Sequence, residues 1–236
     1  MKRILLFLSL FCFLQAPGVK SQVLIGLIFG DRLNSEKLEF GLNLSGNFTT
    51  QSQVDNDKYG RGLVLGLYID YKFAENFVLA TSLLFKSPKG IKQFGPEEYF
   101  YPLPDTIWTN SSSVRKLNYI ELPLVVQYRP VPQFGIGLGI DLGLMTRAED
   151  TFTHKVDEWD IVAKKSVTKF FNRFDVALVA GLNYHFKGNP GVQIRLNYYL
   201  GLINVYKESA NRKGYNRTIQ LGAMIPIKTG VKKKDK

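Results

Sequence analysis

Apolar side chains recur at every second position through eight separate segments of this 236-residue chain, a pattern that few folds can accommodate. In the stretch GLVLGLYIDYKFAENFVLATSLLF, residues 62 to 85, Leu63, Leu65, Leu67, Ile69, Tyr71 and Phe73 alternate with Gly62, Val64, Gly66, Tyr68, Asp70 and Lys72. After Ala74-Glu75-Asn76 the alternation restarts with Phe77, Leu79, Leu83 and Phe85. A period of two residues puts one set of side chains on each face of a strand. One face here is oily, and the other is too polar and too small to be a protein core.

The remaining segments repeat the pattern. The first carries Leu38, Phe40, Leu42 and Leu44, and the fourth carries Ile120, Leu122, Leu124, Val126 and Tyr128. The fifth runs from Phe134 to Leu144, the sixth from Phe174 to Phe186, the seventh from Val192 to Leu202 and the eighth from Ile219 to Ile227. The opposite parity includes Glu39, Asn43, Asp70, Glu121, Gln127, Asp141, Asp175, Asn183, Arg195 and the Gly135-Gly137-Gly139 stripe. A soluble barrel would bury the leucines and expose these groups. A barrel in lipid does the reverse, because oil touches its outside and the closed ladder satisfies the backbone. The pattern predicts an all-β fold, an eight-stranded antiparallel up-and-down transmembrane β-barrel. Runs of about 11 to 13 residues suffice, since a tilted transmembrane strand needs ~9–11. Connections alternate between tight turns (after Phe73, Pro130 and Lys187) and long polar stretches (49–60, 87–116, 146–172 and 205–216), so the long loops share one end. Aromatic residues Tyr71, Phe73, Phe77, Tyr128, Phe134, Tyr184 and Phe186 border the short turns, as an interfacial girdle would.

The N-terminus adds a compartment. Lys2-Arg3 precede the apolar run ILLFLSLFCFL, with Pro17, Gly18 and Ser21 after it, which reads as a cleaved signal peptide ending at residue 21. The expected divisions are the signal peptide (1–21), an N-terminal periplasmic segment (22–36), the barrel (37–228) and a basic tail (229–236). Cys12 is the only cysteine and leaves with the signal, so disulfide scaffolds and cysteine chemistry are excluded from the mature protein. Loss of Lys2, Arg3 and Lys20 lowers the formal charge from +11 by three, to +8. For an exported chain that surplus points to outer-membrane lipid and lipopolysaccharide, and not to nucleic acid.

The segments NYIELPLVVQYRP (118 to 130) and LIFGDRLNSEKLEFGLNLSG (27 to 46) resemble the PorT-like family of outer-membrane β-barrel proteins. The resemblance implies a small monomeric barrel in a Gram-negative outer membrane, with secretion-machinery proteins as partners through the type 9 association of the name-giving member. It carries over no catalytic residue.

The residues offer little chemistry. His154 has Asp150, Asp157 and Glu158 near it in sequence, but no serine in a strained turn completes a hydrolytic arrangement. A lipid A deacylase or acyltransferase is the alternative to a non-enzymatic barrel that presents loops for interaction. No spacing suits a metal or a cofactor, so none is expected. The second long loop holds Tyr99, Phe100, Tyr101 and Trp108 among prolines, the composition of a protein-binding surface, or else of a loop folded onto the rim. Inside the barrel, Arg195 must find carboxylates, and Glu39, Asp70 and Glu121 share its parity. These four are expected to form a polar plug.

Overall fold

The computed structural model describes residues 37–54, 56–101, 111–156, 158–187 and 191–227, so the expected signal peptide, N-terminal segment, basic tail and Trp108 lie outside it. Among the described residues nine strands follow one another: β1 (Leu38–Ser52), β2 (Asn56–Ala74), β3 (Phe77–Phe94), β4 (Ser112–Val131), β5 (Phe134–Val156), β6 (Trp159–Ser166), β7 (Phe174–His185), β8 (Gln193–Gly201) and β9 (Tyr215–Pro226). Eight of them close a ring in the order β1-β2-β3-β4-β5-β7-β8-β9, with β9 returning to β1. The closing pairs are antiparallel and long: Gly41 stands opposite Pro226 and Ser52 opposite Tyr215. Every strand of the ring therefore has two neighbours and no edge meets the membrane.

Leu138 is 68% exposed on the outside, while Asp141, three positions further along the same strand, is 1% exposed inside. Tyr68, Tyr119, Glu121, Asp175 and Arg195 are likewise buried within the ring. At the short-turn rim Phe73 stacks on Phe77 (6.1 Å) and Phe77 meets Tyr128 (5.3 Å), while Tyr184 meets Phe186 edge-on (5.0 Å). The aromatic girdle stands where the alternation puts it.

The far end differs from the expectation of long loops. β4 has 20 residues and β5 has 23, so roughly half of β5 stands beyond what the membrane requires. Within the stretches 49–60, 87–116 and 146–172, residues 49–52, 56–60, 87–94, 112–116, 146–156 and 159–166 are strand. Beyond the bilayer a strand needs no oily outer face, so its ladder continues without the apolar alternation that marks it in sequence. A register shift between Leu84 and Ser87 also reverses the parity of β3: Ala80, Ser82 and Leu84 point inward before it, Ser87, Lys89 and Ile91 after it. An extra residue in one strand of a pair has this effect. Gly90, at φ +136°, adopts a conformation that L side chains rarely reach, and a Cβ there would collide with the Arg115 carbonyl.

The largest apolar core lies not in the membrane but in this extension, which we call the crown. Leu117, Tyr119, Met145, Ala148, Val167, Phe171, Val205 and Tyr206 form it.

Depth should decide the cost of a charge on the outer face. Leu67→Arg, mid-strand and opposite Leu42, is expected to destabilise by ~2–4 kcal/mol, and Trp159→Arg, outside the bilayer, by less than about 0.5 kcal/mol. Urea titration of the protein refolded into lipid vesicles measures both; equal costs would contradict the placement of the membrane.

Candidate functional site

Two buried ionic clusters fill the barrel. Near the short-turn end Arg195, on β8, reaches across to Asp70 on β2, its Nη2 donating to both carboxylate oxygens at 2.6 and 2.5 Å. Asp70 also accepts from Arg129 Nη2 (2.9 Å) and Gln193 Nε2 (3.1 Å). Glu39 accepts from Tyr68 OH (2.6 Å) and Gln193 Nε2 (2.7 Å), and the Tyr68 ring lies 5.3 Å from the Arg195 guanidinium. Glu39 thus belongs to the cluster through Tyr68 and Gln193, not through direct contact with the arginine.

Glu121 belongs elsewhere. Its carboxylate lies 2.5 Å from Lys89 Nζ, which also faces Asp175 at 3.3 Å and Asp141 at 3.6 Å. The rings of Tyr119 and Tyr199 flank the ammonium at 5.1 and 5.8 Å. Asn216 Nδ2 donates to Asp175 at 2.7 Å. The expected single plug is therefore two clusters, and the second is built around a lysine that alternation alone assigns to a loop. The missed signal was local: Lys89 follows Ser87-Pro88 and precedes Gly90, a combination that marks an irregularity in a strand.

Between the clusters, Tyr199 OH donates to Gln220 Oε1 (3.1 Å), and Gln220 Nε2 donates to Asn47 Oδ1 (3.0 Å). The cavity left among Asn43, Ser82, Gln127, Arg195 and Tyr199 measures about 10 Å³, room for about one water molecule. A narrow eight-stranded ring is just filled by its own side chains.

The crown closes the long-connection end. Arg115 points inward from β4 and donates from Nε and Nη2 to Asp150, both at 2.7 Å, and from Nη2 to the Glu98 carbonyl at 2.8 Å. Its guanidinium lies 4.5 Å from the Phe94 ring centre and 4.6 Å from that of Phe100. Burial by itself would lower the Arg115 pKa; the hydrogen bond and charge of Asp150 outweigh it and hold the group above its usual range. Phe100 stacks parallel on Phe170 at 4.3 Å, with Arg212 over it at 4.7 Å. Tyr99 sits edge-on to Phe152 (4.9 Å), and Tyr101 to Phe170 (5.6 Å). Tyr99, Phe100 and Tyr101 are half-buried and packed on the rim, the second of the two arrangements their composition allowed.

β6 leaves the ring. It pairs with β5 from Val156↔Trp159 to Glu149↔Ser166 and, among the described residues, with no other strand. Trp159 is 80% exposed, and Val156, Ile161 and Val162 are exposed beside it. His154 stands opposite Ile161 in this hairpin, and His185 lies 3.9 Å from Glu39 at the other end of the barrel. Among the described residues no group of three or more His, Cys, Asp or Glu side chains could hold a metal ion.

A closed antiparallel ring, oily outside and plugged with polar side chains, defines a small outer-membrane β-barrel protein. The sequence agrees: the family described as "Outer membrane protein beta-barrel domain" matches residues 29–207, and the chain belongs to it. The protein is accordingly an outer-membrane protein. Among solved structures it is similar to Ail, the attachment invasion locus protein of Yersinia pestis, at 13% identity over 81% of this chain and 98% of that one, with a TM-score of 0.43. It is also similar to Neisserial surface protein A (11%; 80% and 97% covered; TM-score 0.41) and to OprG from Pseudomonas aeruginosa (15%; 81% and 95% covered; TM-score 0.36). Comparison with curated protein sequences finds no match.

Stranding a buried charge is costly, so Arg195→Met and Lys89→Met should each destabilise by ~3–5 kcal/mol. Asp70 keeps Arg129 when Arg195 is lost, which puts that variant at the low end; Lys89→Met leaves three acids and falls at the high end. Denaturant titration of both variants gives the ranking, and adding Glu121→Gln to Lys89→Met should restore part of the loss. In the crown, Arg115→Met should leave the heat-resistant barrel band on gels intact while making the 95–101 segment sensitive to limited proteolysis, because Arg115 ties Glu98 to Asp150.

Proposed function

We propose that this protein is a non-enzymatic barrel that presents its β5–β6 hairpin to a partner protein at the cell surface, in support of protein secretion of the type 9 kind or of surface assembly. The reading rests on one observation above the others: β6 offers an unshared strand edge whose tip carries Trp159, Ile161 and Val162 in exposed positions. An open edge recruits an extended segment by completing its ladder, while alternate side chains supply selectivity. Lys164 and Lys165 stand at the base of the strand, where charge discourages pairing, while Asp160, opposite Lys155 on β5, is the one charge of the strand between Trp159 and Ala163. Long connections of such barrels face outward and short turns face the periplasm, which puts the hairpin on the extracellular side. A filled lumen and a closed crown leave the exterior as the working surface. The likeness of residues 27–46 and 118–130 to PorT-like proteins supports the secretion role, with the barrel acting as a monomer.

The test is a photo-crosslinking residue placed in living cells at Val162 and, as a control, at lipid-facing Leu138. A discrete protein adduct at 162 but not at 138 is expected, together with an altered secreted or surface proteome when residues 155–162 are removed. If position 162 gives no protein adduct and both proteomes stay unchanged, the hairpin is not an interaction element.

A further inference from the structure

A second surface lies on the exterior where β2, β3 and β4 emerge from the membrane, and its last strand, β4, neighbours β5. Arg61, Lys92 and Lys116 point outward there around a concavity of about 610 Å³ that Phe48, Tyr59 and Lys58 complete. The register brings these cations together: Lys92 stands opposite Lys58 on one side and Val114 on the other, two residues before Lys116. Cations gathered on one face of adjacent strands repel one another, and an anion seated among Arg61, Lys92 and Lys116 would relieve that. Among the described residues neither Lys92 nor Lys116 has an ion-pair partner. The acid opposite Lys116 in register, Glu149, is paired with Arg147.

The height of the patch names the ligand. Arg61 is the next outward residue above Leu63, and Lys116 lies two outward positions above Ile120, so at ~3.3 Å per residue along strands tilted by about 40° the charges sit roughly 5–10 Å above the last lipid-facing side chains. Phe48, exposed, holds the Arg61 guanidinium 5.9 Å from its ring centre. Below, the wall continues as Leu63, Leu65 and Leu44. A ligand that fits has phosphates at headgroup level and acyl chains running down an oily wall. We infer that this concavity binds the phosphorylated headgroup of an outer-leaflet glycolipid, with Arg61, Lys92 and Lys116 on the phosphates and Phe48 and Tyr59 against the sugar and the upper chain. A soluble polyanion would use the cations but gain nothing from the apolar wall.

The purified full chain in detergent can be titrated with diphosphorylated lipid A and read by native mass spectrometry. One bound lipid per barrel is expected, and Arg61→Gln, Lys92→Gln and Lys116→Gln together should weaken it roughly a hundredfold, since each surface cation contributes about a fivefold factor. The control Lys207→Gln with Lys213→Gln, in the β8–β9 connection, should bind as wild type. Heat-resistant migration on gels reports folding; should the triple variant fail to fold, the single Lys92→Gln and Lys116→Gln variants are each expected to lose about fivefold. Undiminished binding by the folded variants overturns the site. Displacement of the lipid by an equal concentration of tripolyphosphate overturns the glycolipid and assigns a soluble polyanion instead.

Discussion

A backbone amide left unpaired in hydrocarbon costs several kcal/mol, and nothing in oil can take the place of water. Closure of the sheet answers that cost, and the rest of the molecule follows from it. With β9 laid along β1 over twelve residue pairs, from Gly41↔Pro226 to Ser52↔Tyr215, the ring has an inside and an outside, and alternation sends half of every strand to each. The outside must be apolar because it meets lipid. Eight strands leave too little room inside for bulk water, so the polar side chains there must satisfy one another. Asp70 accordingly receives Arg195, Arg129 and Gln193, and Lys89 is shared among three acids.

The same strands obey opposite rules a few residues further on. Above the bilayer the outer face meets water, and the interior can be apolar as in any soluble domain. β4 shows the change within one strand: Glu121 and Gln127 are buried in the membrane section, Leu117 in the crown. Arg115 is the charged residue that β4 buries in the crown, and it is held by Asp150, the Glu98 carbonyl and the faces of Phe94 and Phe100. A guanidinium suits that position because it donates in its plane and stacks above and below it. Arg115 thereby joins the polar ladder to an aromatic lid.

This division of the chain bears on what it can do. The plugged section supplies rigidity and membrane residence, and the crown aromatics are engaged in their own packing. What remains available is peripheral: a hairpin edge that leaves the ring at β5 and a cationic concavity on β2, β3 and β4. The ligands we propose for them differ, an extended polypeptide for the edge and a phosphorylated lipid for the concavity.

Alternation alone determined the ring. Eight runs with leucine on one parity and Glu39, Asp70, Glu121 and Arg195 on the other are legible without coordinates, since a membrane imposes opposite solvents on the two faces of every strand. The match of Arg195 with Asp70 was half legible: parity put both inside, but Glu121 has the same parity and a different partner. Only the tertiary structure decided that Lys89 enters the barrel, because a one-residue irregularity after Leu84 reverses every side chain beyond it and leaves no periodic trace. It also decided that residues 49–52, 56–60 and 146–156 are strand and that Tyr99 and Phe100 pack on the rim. In water a ladder has no oily face to announce it, and which rings meet depends on strands far apart in sequence.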